Sequence, residues 1–193
     1  EMLSLPPYAS RPTQAGLIPS YPAIADAASA PVILYNVPSR TGTNIEPETY
    51  GVLAEHPNIV AIKEANSRLP KMMETFRIVG DRLDVYSGND DQTLPILAMG
   101  GKGVISVLSN VVPVQTVALC EKFFAGDLKG AQKLQLDLLP LIQALFSQTN
   151  PIPAKAALAR MGLIEDRLRL PLTPMEEPFR SKLYNRMAEL GLI

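Results

Sequence analysis

The apolar run Ile59-Val60-Ala61-Ile62 ends on a lysine, Lys63, in the segment "NIVAIKEA" at 58–65. A half-buried lysine amine has a lowered pKa and can attack a carbonyl to form an imine. The same position has a plainer reading, an ion pair with Glu64 or an exit to solvent, and the segment taken alone favours it. A second apolar run closes on a phenol, Tyr35 in "VILYN" at 32–36, and "PSRTG" with Arg40 follows soon after. A buried phenol commonly packs and makes one hydrogen bond; beside an amine it can also pass protons. A loop arginine is ordinarily solvated, but just past a strand end its planar fork suits a carboxylate.

Counting narrows the chemistry further. With one histidine, His56, and one cysteine, Cys120, zinc sites built on several His or Cys ligands are excluded. His56 precedes Pro57 and reads as the turn after a helix. No nucleophile motif accompanies it. Cys120, in "TVALCEKFF", reads as a small core residue rather than a nucleophile. Lysine is therefore the leading group for covalent chemistry. "VAIK" also occurs in protein kinases, but no glycine-rich loop, "HRD" or "DFG" is present. "GNDD" at 88–91 reads as a helix cap rather than a metal site. "GGKG" at 100–103 lacks phosphate-loop spacing and reads as a tight turn.

The elements that must position these groups are short. Apolar runs predict strands over Met2–Leu5, Val32–Asn36, Ile59–Lys63, Leu83–Ser87 and Val104–Val107. Their apolar residues are mostly continuous, as in parallel strands buried on both faces. Helical patterns near 14–28, 47–55, 70–79, 90–98 and 113–125 lie between and after them, the rhythm of a parallel α/β fold. Residues 127–148, 152–161 and 174–191 also read as helix, the last with Thr173 as its cap. Pro19 and Pro22 should kink or break the first helix. An open doubly wound sheet and part of a barrel both fit this pattern. In parallel α/β folds the site lies at the carboxyl ends of the strands, and these ends supply Tyr8, Tyr35, Arg40, Lys63, Gly88 and Asn110.

Hydrophobic residues make up 47% and charged residues 19%, with a net charge of -1, a profile expected of a soluble globular protein. No basic footprint for nucleic acid is present. No apolar stretch approaches the length that spans a bilayer, and the first residues lack a signal-peptide layout. A single cysteine fits a reducing compartment, and a cytoplasmic location is expected.

Together the segments "RPTQAGL" (11–17), "PVILYNVPSRTG" (31–42), "NIVAIKEA" (58–65), "YSGND" (86–90), "GGKGVISVLSNV" (100–111), "NPIPAKAAL" (150–158) and "LRLPLTP" (168–174) resemble, in order, the dihydrodipicolinate synthase family, within the pyruvate-dependent Schiff-base lyases that include N-acetylneuraminate lyase. The resemblance implies an α/β fold, a (β/α)8 TIM barrel with a C-terminal helical subdomain. It places barrel strands four to eight in residues 1–126 and the helical subdomain in 127–193. On this reading the first three or so strand–helix units are absent from the chain, and roughly 100 residues would precede Glu1. Strands one and five would then be bare edges.

The resemblance makes Lys63 the lysine that forms an imine with pyruvate and Tyr35 a proton relay. Arg40 would hold the carboxylate of aspartate semialdehyde, and Gly88 and Ile105 would line the pyruvate pocket. Tyr8 resembles the first tyrosine of a "PYYN" segment near a lysine-inhibition site. Its second tyrosine is Ala9 here, and the family's "GTTGE" threonine pair is absent. The implied reaction condenses pyruvate with L-aspartate 4-semialdehyde in diaminopimelate and lysine biosynthesis, with no metal or organic cofactor, in a homo-oligomer (a dimer of dimers). Another 2-oxo-acid aldolase of the superfamily, or an inactive fragment, is the alternative.

Overall fold

The computed structural model describes residues 1–193. Five strands, β1 (Met2–Ser4), β2 (Val32–Asn36), β3 (Ile59–Glu64), β4 (Asp84–Ser87) and β5 (Gly103–Val104), form one sheet in the order β1-β2-β3-β4-β5. Every pairing is parallel. A doubly wound sheet reverses its strand order at a switch point. Here each strand lies beside its neighbours in the chain and no reversal occurs. The sheet is wound in one direction, as the (β/α) units of a TIM barrel are, which decides between the two architectures that the pattern left open.

The helices α1 (Gln14–Ala27), α2 (Pro38–Thr41), α3 (Pro47–Leu53), α4 (Leu69–Val79) and α5 (Thr93–Ala98) are interleaved with these strands. Right-handed crossovers that always advance the same way lay their helices on one face of a sheet. The core under them joins Leu17 and Tyr21 of α1, Leu34 of β2, Tyr50 and Leu53 of α3, Ile62 of β3 and Val85 of β4. Side chains alternate along a strand, so Ile33, Tyr35 and Lys63 point to the other face. The ladder slips once: Val32 pairs with Ile59 but Ile33 with Ala61. The slip leaves Val60 over and returns both Ile59 and Ile62 to the helix-facing core.

Four elements differ from the expected pattern. Helix α1 runs unbroken through Pro19 and Pro22. Its buried stripe Leu17, Tyr21 and Ala25 repeats every four residues, and docking that stripe holds the helix although two backbone donors are lost. Strand β5 stops at Val104; Ile105 still donates its N–H to the Ser87 carbonyl at 2.8 Å, but β4 ends at Ser87 and offers nothing beyond. "GNDD" makes no cap: Asn89 precedes a 3-10 turn, Asp90–Gln92, without a side-chain cap bond. The last helix begins at Phe179, directly after Pro178, so Thr173 caps nothing. Pro174 and Pro178 bias the residues before them away from helix.

The chain divides into two compact units, Glu1–Ile105 and Ser106–Ile193. The second contains α6 (Pro113–Phe124), α7 (Leu128–Leu145), α8 (Ile152–Arg160) and α9 (Phe179–Glu189). Its core joins Leu108, Val111, Leu138, Leu141, Leu145, Ala156, Leu183 and Met187. Asp127 caps α7 by accepting the Gly130 N–H at 2.9 Å. Cys120 on α6 is half-buried rather than part of that core. No helix is long and apolar enough to cross a membrane.

Candidate active site

Tyr35, Lys63 and Tyr86 stand opposite one another in a single register row across β2, β3 and β4. They therefore share the face turned away from the helices. The Lys63 Nζ lies 4.2 Å from the centroid of the Tyr35 ring, close enough for the ring face to attract the ammonium. Lys63 is half-buried. Loss of water pushes its pKa below the ordinary lysine value, the Asp90 carboxylate opposes this, and the Arg40 cation adds to it. Burial pushes the Tyr35 phenol up, while Arg40 pulls it down. An amine eased toward its neutral form thus stands over a phenol that keeps its proton at neutral pH.

The charge of Arg40 acts on this pair from α2, the short helix after β2. That helix closes on Gly42, whose φ of 68° is left-handed and whose N–H returns to the Pro38 carbonyl at 2.9 Å; glycine is the residue for such a cap. Gly88 follows β4 and donates its N–H to the Glu64 carbonyl at 2.7 Å. A Cβ at Gly88 would meet the Ala65 Cβ at 2.8 Å, so only glycine lets the end of β4 come this close to the end of β3. Ile105 is tied to Ser87 just past β5. Lys63, Tyr35, Arg40, Gly88 and Ile105 thus all lie at or just beyond the carboxyl ends of adjacent strands. Tyr8 does not join them in any bond: it stands in the turn after β1, 69% exposed. Asn110 belongs to the second compact unit, where its amide donates to the Val107 carbonyl at 3.0 Å. "GGKG" is the expected turn, with the Gly101 N–H on the Ile96 carbonyl and the Lys102 N–H on that of Val85.

Glu64 is the residue that sequence reasoning misplaced. It is no salt-bridge partner of Lys63: it follows Lys63 on a strand and points through the opposite face, where it is 2% exposed. Its carboxyl accepts the Asn66 N–H at 2.7 Å, the Asn36 Nδ2 at 3.0 and 3.2 Å, and the Tyr50 hydroxyl at 3.2 Å. Burial raises its pKa to about 7 even though each of these donors works to lower it. The alternation rule held the clue, since adjacent strand residues cannot share a face. The partners, from 2 to 28 positions away, left no local pattern to read.

The sequence profile of the Dihydrodipicolinate synthetase family matches residues 1–190. Over 192 residues the chain is 50% identical to the 4-hydroxy-tetrahydrodipicolinate synthase of Geobacter sulfurreducens, covering 100% of this chain and 66% of the relative. Among solved structures, it is similar to the dihydrodipicolinate synthase of Thermotoga maritima, with a TM-score of 0.96 and 45% identity over 99% of this chain and 66% of that one. It is similar to a monomeric dihydrodipicolinate synthase variant, again at 0.96 and 45%, over 99% and 65%. The chloride-inhibited Acinetobacter baumannii enzyme, solved with pyruvate, aligns at 0.95 and 41%, over 99% and 66%. The chain spans 66% of the length of curated relatives such as the first of these.

Proposed function

Because the chain belongs to the dihydrodipicolinate synthetase family, we propose that the whole protein condenses pyruvate with L-aspartate 4-semialdehyde through an imine on Lys63, in diaminopimelate and lysine biosynthesis. The observation that carries this reading is the Lys63 amine lying 4.2 Å from the Tyr35 ring at the strand ends, with the charge of Arg40 acting on both. The neutral amine of Lys63 attacks C2 of pyruvate, and the carbonyl oxygen takes a proton supplied through Tyr35. The carbinolamine then loses water. The protonated imine nitrogen accepts the electron pair released when a proton leaves C3, giving an enamine. Its C3 bonds to the aldehyde carbon of the second substrate, whose oxygen is protonated. Arg40 holds the carboxylate of that substrate by a charge-assisted bond. Gly88 and Ile105 line the pyruvate side. The imine itself is the electron sink, so the reaction calls for no metal or organic cofactor.

In the whole protein, residues 1–126 supply the barrel portion and 127–193 the helical subdomain. The protein works in the cytoplasm as a dimer of dimers, and Tyr8 stands near a site for lysine. Borohydride added with pyruvate to the active protein should leave a reduced adduct on Lys63, found by peptide mass spectrometry. An adduct on another residue, or none, refutes the proposal. One feature favours a second reading: Ala9 stands where the resemblance implies a relay tyrosine. A pyruvate aldolase with another acceptor would turn over sugar acids in preference to aspartate semialdehyde.

A further inference from the structure

Resting on that reading of Lys63, we propose that the Glu64 carboxyl and the Asn44 side-chain oxygen form one positioning hub that sets Lys63, Tyr35 and the Arg40 segment relative to each other. Asn36 and Glu64 face each other in the β2–β3 register, one residue beyond the Tyr35–Lys63 pair. The bond from Asn36 Nδ2 to the Glu64 carboxyl at 3.0 Å therefore locks, from the helix side, the two strand ends that present Tyr35 and Lys63 on the other. Asn36 Nδ2 also donates to Asn44 Oδ1 at 2.8 Å, and Asn66 Nδ2 reaches the same oxygen at 2.9 Å. The Ile45 N–H returns to Asn36 Oδ1 at 3.1 Å.

Residues 36–45, which include Arg40, are thereby closed into a loop pinned at its base. The Thr41 hydroxyl stiffens its middle by donating to the Thr43 carbonyl at 2.9 Å. Gln14 of α1 holds the outer end, giving its Nε2 to the Asn44 carbonyl at 2.7 Å and taking the Glu46 N–H at 3.1 Å. One carboxyl and one amide oxygen thus join β2, β3, the segment after β3 and the segment carrying Arg40. Simple cohesion does not call for this: an apolar side chain at position 64 would hold the strands with less loss of hydration. What the polar hub adds is a single allowed geometry. Small displacements matter at such a site, where about 1 Å of misplacement lowers a rate by roughly a hundredfold.

The test measures the rate of imine formation in the whole protein, by quenching with borohydride at saturating pyruvate, and the KM for pyruvate. Wild type comes first; if it leaves no adduct on Lys63, the proposed function fails and the hub with it. Given a wild-type adduct, Glu64→Gln and Asn44→Ala are compared with Val79→Ala. That control removes side-chain bulk from the same unit's core without touching the hub. All are assayed below the unfolding transition of each variant. The Gln side chain turns an NH2 group toward the amide of Asn36 or the N–H of Asn66, while Asn44→Ala takes the shared acceptor from both amides. Since Asn44 sits half-buried on a loop, its truncation leaves a folded protein even where a change at Glu64 does not. We expect both hub variants to form the imine about ten- to a hundredfold more slowly with little change in KM, and Val79→Ala to match wild type despite its lower Tm. Wild-type rates in a folded hub variant, or equal slowing in Val79→Ala, would overturn the hub.

Discussion

Glu64→Gln should change how stability responds to pH. The carboxyl ordinarily titrates near 4.5, and in the folded chain burial moves it to about 7. Between those values the folded state holds a proton that the unfolded state has released. Stability from this group is thus fully present below pH 4.5 and is lost as pH rises through 7. At about 1.4 kcal/mol per pH unit, the interval corresponds to roughly 3 kcal/mol. The groups facing Glu64 do not titrate in this window: Asn36 and the Asn66 N–H are neutral, and burial holds the Tyr50 phenol well above its ordinary range. The amide that replaces the carboxyl has no proton to lose, so subtracting the two proteins cancels every other titration. The difference in unfolding free energy should move in favour of the variant by about 3 kcal/mol from roughly pH 4.5 to 8. With a Tm response of roughly 2–4 °C per kcal/mol for a chain of this size, thermal unfolding by circular dichroism across that range will register it. A difference that stays constant, or that moves in favour of wild type as pH rises, would refute the assignment of a raised carboxyl.

Three further outcomes are expected. Arg40→Ala should leave borohydride trapping of pyruvate intact while raising the KM for aspartate semialdehyde roughly ten- to a hundredfold, because a charge-assisted contact contributes about 1.5–3 kcal/mol; steady-state kinetics with each substrate varied in turn will show it. Tyr21 buries a hydroxyl that finds no hydrogen-bond partner. Tyr21→Phe removes a desolvated orphan and should leave stability unchanged or raise it by about 1–3 kcal/mol in urea titration. Gly88→Ala would set a methyl 2.8 Å from the Ala65 Cβ and 3.0 Å from the Glu64 carbonyl oxygen. The variant should lose about 1–3 kcal/mol of stability and trap pyruvate more slowly, both readable on one purified preparation.

Much of the first unit was legible because its information is local. Continuous apolar runs ending on Tyr35 and Lys63 identify buried parallel strands and their carboxyl ends, and the element between each pair reads as helix from its own periodicity. The turn at "GGKG" likewise depends on residues close in the chain. The relative positions of these elements were not legible in the same way. Whether the sheet reverses its winding is a matter of which strands pair, and nothing within a strand records its neighbour. Helix α1 survives Pro19 and Pro22 because Leu17, Tyr21 and Ala25 find a core supplied by residues 32–85, a stabilisation invisible to local propensity. The start of α9 was misread from polar residues that resemble a cap, where Pro178 decides instead. Glu64 shows the division most plainly. Alternation along β3 already required it to turn away from Lys63, but its pKa is raised by burial in the folded core, against the donors that surround it, Asn36, Tyr50 and Asn66. Folding alone brings them around one buried carboxyl, because hydrogen bonds form between groups that are close in space, whatever their distance along the chain.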